Sequence, residues 1–109
     1  MTTPRPGRRV RGSRGGRPIM ALLDLLGRRW LLRVLWELRG EPLTFRALRA
    51  RCDAVSPSVL NARLAELREV GIVGLDPGGG YALTREGSGL LEALAPLQGW
   101  AERWARRAG

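Results

Sequence analysis

The run SPSVLNARLAELREVGIV, Ser56 to Val73, followed by a glycine turn and YALTREG, constrains this chain more than any other stretch. Leu60, Leu64 and Leu67 recur at i, i+4 and i+7, so they form one stripe of a helix. Ser56 is a suitable N-cap and Pro57 fits the first helical position. Gly71 stands where a helix can end in a left-handed residue. Ser58, Asn61, Ala62 and Ala65 fall opposite the leucines. Such a helix has a buried back and a front of short side chains. That front lets its backbone approach base edges in a DNA major groove.

The flanking pattern predicts a mainly α fold with a small β-hairpin. Ile19 to Leu26 reads as a short apolar helix closed by Gly27. Arg28 to Arg39 reads as a second, with Trp30, Leu31, Val34, Leu35 and Leu38 at helical spacing and Gly40 and Pro42 as its stop. Thr44 caps a third helix through about Cys52, Asp53 to Val55 form a turn, and Ser56 to Val70 is the fourth helix. A short helix, a tight turn and a longer helix make a helix-turn-helix unit. Ile72 to Leu75 and Tyr81 to Leu83 pair as strands around Asp76-Pro77-Gly78-Gly79-Gly80. Thr84 opens a last helix that runs to about Arg107, and Pro96 predicts a kink in it near Leu91 to Glu92. No internal repeat is visible.

Charge agrees in sign. The 109 residues carry a net +9, and every basic residue is Arg. Arg grips phosphate and guanine edges bidentately, as Lys cannot; a GC-rich genome gives the same usage. Residues 1–17 hold Arg5, Arg8, Arg9, Arg11, Arg14 and Arg17 and no acid, so only +3 of the +9 belongs to the rest. This Arg-, Gly- and Pro-rich stretch reads as a disordered arm, and residues 18–107 as one DNA-binding domain, the length fitting one small domain and not two.

Several chemistries are excluded. With no His and one Cys, Cys52, the chain lacks the ligands of a Cys/His zinc site, the base of a Ser-His-Asp or Cys-His nucleophile, and a disulfide within itself. Gly78-Gly79-Gly80 has neither the Lys nor the following helix of a phosphate loop. An enzyme is not expected, and no cofactor is implied. Asp24, Arg28, Arg29 and Arg33 interrupt the best apolar stretch, so no membrane span is expected. The basic start before IMALLDLLG lacks a small-residue cleavage site and holds Asp24, so it is not read as a signal peptide.

The terminal helices carry more apolar surface than one small core can hide. Ile19, Leu22, Leu23 and Leu26, with Leu90, Leu91, Leu94, Leu97, Trp100 and Trp104, would leave a large exposed patch. A second copy of the chain is expected to cover it; the alternative is a last helix folded back over its own core.

These residues resemble the HxlR-type winged helix-turn-helix transcriptional regulators. The likeness spans about Pro18 to Trp104 and rests on DLLGRRW (Asp24 to Trp30), the Phe45/Leu48 helix, SPSVLNARLAEL and the GIV…YALTREG frame. It implies a cytoplasmic prokaryotic homodimer on double-stranded DNA. Its recognition helices would lie in successive major grooves and its wings in the flanking minor grooves. Carried over by position, the recognition helix is Ser56 to Val70, with Ser56, Ser58, Asn61 and Ala62 nearest the bases. Asn61 is the candidate for bidentate readout of adenine, a solvated Asn being the alternative. Arg63 flanks the leucine stripe, and a phosphate contact and a core-flanking salt bridge are both open. Thr44 and Arg46 would touch the DNA backbone, which positions without reading sequence.

The chain departs from the family twice. Many members carry a Cys-Pro pair before the first helix, and some sense oxidants or electrophiles with it; here the pair is Arg17-Pro18. Cys52 lies with Phe45 and Leu48 on one side of the third helix and is expected to be buried and inert. The wing, Asp76 to Gly80, is short and has no positive charge. RGGRP, with Arg14 and Arg17, would take its place either in the minor groove or as a nonspecific counterion-releasing tail. The main reading is a sequence-specific regulator; the alternative is a winged-helix adaptor for a protein partner with only nonspecific DNA binding. A small-molecule effector is left open, because Trp30, Trp36, Trp100 and Trp104 would suit either an aromatic pocket or core packing.

Overall fold

Apolar residues at helical spacing find one another in the folded chain. The structure is a computed structural model and describes residues 17–109. The arm therefore lies outside the described residues, Arg14 included, except for Arg17. In chain order the elements are α1 (Pro18–Leu26), α2 (Leu31–Glu37), α3 (Phe45–Arg51), α4 (Pro57–Glu69), β1 (Val73–Leu75), β2 (Tyr81–Leu83) and α5 (Arg85–Ala108). The core joins Leu25 of α1, Leu31, Val34 and Leu35 of α2, Leu48 of α3 and Leu60, Leu64 and Leu67 of α4 with Val73 of β1. Burying each leucine contributes about 1.5–3 kcal/mol. The stripe read at Leu60, Leu64 and Leu67 thus fastens α4 to α2 and β1.

Hydroxyl caps open three helices. Thr44 Oγ1 accepts from the Ala47 N–H at 3.1 Å, Ser56 Oγ from Val59 at 3.3 Å and Thr84 Oγ1 from Gly87 at 3.1 Å. Each cap stabilises by about 1 kcal/mol. Gly71 ends α4 at φ 81°, as its position predicts.

The YALTREG segment joins hairpin to helix. Thr84 Oγ1 donates to the Gly71 carbonyl at 2.6 Å, with the Ile72 carbonyl at 3.1 Å. The Thr84 N–H also bonds the Ile72 carbonyl, at 3.0 Å. The first turn of α5 therefore lies on the strand entry. A Cβ at Gly87 would stand 2.2 Å from the Ile72 oxygen, so this position admits no side chain.

Some boundaries differ from expectation. The second helix is Leu31–Glu37, not Arg28 to Arg39. Arg28 turns the chain: its N–H bonds the Leu25 carbonyl and its own carbonyl accepts from Leu31, both at 3.1 Å. Trp30 follows at φ 71°, a left-handed conformation that costs about 1–2 kcal/mol. The packing of Trp30 against the core offsets that cost. β1 begins at Val73 because the Ile72 N–H goes to the Leu67 carbonyl at 2.9 Å. α5 continues through Pro96 without a break. Pro96 removes only the helical donor to the carbonyl of Glu92, and Glu92 is exposed.

β1 and β2 pair antiparallel, with Val73 opposite Leu83 and Leu75 opposite Tyr81. Leu43, just before α3, adds a bridge to Tyr81 through bonds of 2.9 and 2.7 Å. One residue makes this pairing, so no periodicity announces it. The turn between α3 and α4 holds Asp53 and Ala54 at φ 54° and 56°, two consecutive left-handed residues that carry side chains.

Candidate nucleic-acid interface

With its leucines buried, α4 turns Ser58, Asn61 and Ala65 to the surface, while Ala62 is half-buried. From Ser58 to Ala65 the exposed row is short and uncharged, so the N-terminal half of the helix can approach a groove floor closely; the exposed Arg68 and Glu69 follow in the last turn. Ser56 and Thr44 are exposed and each accepts one bond as a cap. The Thr44 hydroxyl keeps its proton to donate to a phosphate. Ser58 Oγ lies 3.5 Å from Ser56 Oγ. Arg46 is exposed on α3 and engages no carboxylate among the described residues. Arg17 is exposed at the cap of α1.

Arg63 is not aimed outward. Its side chain is 19% exposed and its Nη1 stands 3.2 Å from Glu66 Oε1. Arg63 Nε and that same oxygen make no aligned hydrogen bond, so the contact is an ion pair without directed bonding. Glu66 also binds Arg28, which is 8% exposed and has Asp24 at 3.5 Å. Of the two readings of Arg63, this geometry is the core-flanking salt bridge. Arg33 and Arg49 are engaged inside the fold as well. Arg33 Nε donates to Glu37 at 2.8 Å, its Nη2 to the Arg51 carbonyl at 2.7 Å and its Nη1 to Asp53 at 3.2 Å. The Glu37 hydrogen bond, aided by Asp53, pushes the Arg33 guanidinium above its ordinary value. Arg49 Nε donates to the Val55 carbonyl at 2.7 Å. Sequence reasoning missed these two residues. Their one signal was a tight turn, Cys52-Asp53-Ala54-Val55, without glycine.

The wing tip is neutral to acidic. Asp76 Oδ2 accepts from the Gly78 N–H at 2.9 Å and fixes the turn on itself. The tip offers no cation to a minor groove.

The apolar terminal faces stay open. Ile19 and Leu23 on α1 and Leu97, Trp100 and Trp104 on α5 are all more than half exposed, while Leu22, Leu90 and Leu94 are half-buried. Leu90 and Leu91 pack on the chain's own core. Beyond them, every residue from Ala95 to Gly109 except Gly99 is exposed. The distal half of α5 is therefore not folded back over its own core. Trp100 and Trp104 stack at 5.7 Å, and with Arg103 and Arg107 they line a groove of about 240 Å³. Trp30 and Trp36 do not line it. Trp36 is exposed with the Arg39 guanidinium 3.8 Å above its ring.

Cys52 is fully buried, and desolvation pushes its thiol up, away from the reactive thiolate. Among the described residues no cluster of three metal-ligating side chains exists, and no helix is long and apolar enough to cross a membrane.

A capped helix-turn-helix followed by a two-stranded wing defines the winged helix-turn-helix class. Residues 25–108 match the HxlR-like helix-turn-helix family, and this chain belongs to it. YvaP, an HTH-type transcriptional regulator of Bacillus subtilis, is 31% identical over 88 residues, 75% of this chain and 82% of YvaP. Quinone-bound YodB from B. subtilis superposes with a TM-score of 0.73 at 28% identity, covering 78% of this chain and 96% of YodB. A possible HxlR family transcriptional factor from Thermoplasma volcanium gives 0.68 at 26% identity, over 78% and 82% of the two chains. The protein is thus a helix-turn-helix transcriptional regulator and not an enzyme.

Proposed function

We propose that this regulator binds a specific operator as a homodimer, with Ser56 to Val70 in the major groove of each half-site. The observation that supports this most is the surface of α4. Three buried leucines leave Ser58, Asn61 and Ala65 outward, the surface a groove-reading helix needs. Asn61 reads a base, while Ser56, Ser58 and Ala62 allow close approach. Thr44 and Arg46 hold phosphates. Arg63 keeps its ion pair with Glu66 and lies beside the contact surface rather than on it.

The second copy sits on the terminal faces. Ile19, Leu22, Leu23, Leu90, Leu94, Leu97, Trp100 and Trp104 form the seam, its centre being the exposed residues of α5. Operator binding places the protein in a prokaryotic cytoplasm. Residues 1–17, with Arg14 and Arg17, add phosphate contacts that the acidic wing tip does not make. A flat effector such as the quinone bound to YodB would meet Trp100 and Trp104 within that seam. Saturable quenching of tryptophan fluorescence by a quinone supports that reading, and none removes it.

One observation favours the adaptor alternative: the wing tip carries Asp76 and no cation. Sedimentation of the full chain with a short duplex bearing its preferred site separates the readings. Two chains per duplex are expected. Equal, weak retention of any duplex, with a co-purifying protein, would establish the adaptor.

A further inference from the structure

The α3–α4 turn is the one place among the described residues where two successive side-chain-bearing residues are left-handed. Asp53 and Ala54 stand at φ 54° and 56°. Glycine, and less often asparagine and aspartate, adopt this region readily, whereas for alanine it carries a steric cost. The backbone closes part of the turn by itself, since the Ala54 N–H bonds the Arg49 carbonyl at 3.0 Å and Val55 bonds Cys52 at 3.1 Å. Two guanidinium groups hold the rest. Arg49 takes the Val55 carbonyl, the last one before the α4 cap, at 2.7 Å. Arg33 reaches over from α2 and takes the Arg51 carbonyl at 2.7 Å and the Asp53 carboxylate at 3.2 Å. Glu37, one helical turn along α2, fixes Arg33 from behind at 2.8 Å. Both ends of the strained turn are therefore tied by side chains, one of them anchored in a different helix.

We infer that Arg33 and Arg49 are positioning residues for DNA recognition: they hold the α3–α4 turn in its left-handed form and so fix how α4 leaves it. This rests on the reading that α4 meets DNA. It runs against what their charge suggests, since an arginine in a helix-turn-helix is first taken for a phosphate contact. Lysine is no substitute for Arg33, because a point charge cannot meet a carbonyl and two carboxylates with a planar fork.

The two roles differ in salt dependence. Removing a phosphate contact lowers affinity and reduces the salt slope by about one, whereas a lost positioning contact lowers affinity with the slope unchanged. Binding to the wild type's preferred duplex is measured across salt for Arg33→Met, Arg33→Lys and Arg49→Met, each alone and with Ala54→Gly. Arg46→Met serves as the phosphate-contact reference. We expect a loss of roughly five- to thirtyfold for each clamp variant, with the wild-type slope. Ala54→Gly should recover most of it, because glycine takes the left-handed region unaided. Arg46→Met should lose slope and gain nothing from Ala54→Gly. A slope reduced by about one without rescue would make Arg33 or Arg49 a phosphate contact and overturn the inference, as would unchanged affinity. Amide exchange over residues 52–56 in the free chain reads the clamp without DNA. Faster exchange in Arg49→Met, restored by Ala54→Gly, in a chain that prefers no duplex would overturn the DNA role while leaving the clamp. Unchanged exchange would overturn the clamp itself.

Discussion

At the scale of single residues, exposure alone does not sort the arginines; their partners do. Arg28, Arg33, Arg49 and Arg63 look alike in a sequence, yet each is tied to a carboxylate or a carbonyl of the fold. Arg46 is left facing out. Asn61 is the side chain whose loss should change which sequence is preferred. Asn61→Ala is expected to weaken the preferred site by about 1–3 kcal/mol and leave binding to random DNA unchanged. Competition assays with both DNAs read this, and equal losses on the two would remove Asn61 from base readout. Cys52 gives a second prediction. Burial raises its thiol, so native protein should react with a disulfide reagent only through unfolding, at a rate that tracks stability. The sign also sets a pH dependence. The unfolded thiol ionises first, so the thiol's contribution to stability is intact below about pH 8.5 and is lost as pH rises beyond it. Rapid labelling at neutral pH would contradict the buried assignment.

At the scale of elements, what spacing encodes was legible and what single residues encode was not. The leucine stripe, the three hydroxyl caps and the Gly71 stop all follow from local rules. They recur in the structure because the α4 stripe and the core agree. The start of α2 was not legible. It depends on Arg28 reaching Glu66, a partner 38 residues away, and on Trp30 accepting a left-handed backbone in exchange for core contact. The Leu43–Tyr81 bridge and the Arg33 clamp were hidden for the same reason, since each is one long-range contact without a repeat. Of the candidate site, the outward row of α4 was readable from the wheel. The engagement of Arg63 was one of two open readings until Glu66 was placed beside it. The frame YALTREG gains a physical meaning in the structure: Thr84 ties Gly71 and Ile72 to the helix start, and Gly87 lets that start lie against Ile72. Gly87→Ala is therefore expected to destabilise by about 3 kcal/mol or more, lowering the melting temperature by over ~10 °C. A melt within a degree or two of the wild type would contradict the close approach.

At the scale of the whole molecule, the described chain leaves its far end unused. The distal half of α5 has almost no cover, and its leucine and tryptophans are exposed, as Ile19 and Leu23 of α1 are. Standard interfaces bury about 800 Å² per partner, with aromatic residues enriched at the centre. Trp100→Asp should leave the folded chain intact, because Trp100 touches little within it, and should convert dimer to monomer in sedimentation equilibrium. A wild-type chain that is already monomeric would contradict the seam. Deleting residues 2–16 should weaken binding to every DNA alike and lower the salt slope. The central claim is that α4 reads sequence within a symmetric dimer. Selection of genomic fragments by the full chain at near-physiological salt tests it most directly. Enrichment of an inverted repeat whose half-sites lie about one helical turn apart is expected. Uniform retention, or enrichment of a single unrepeated site, would contradict it.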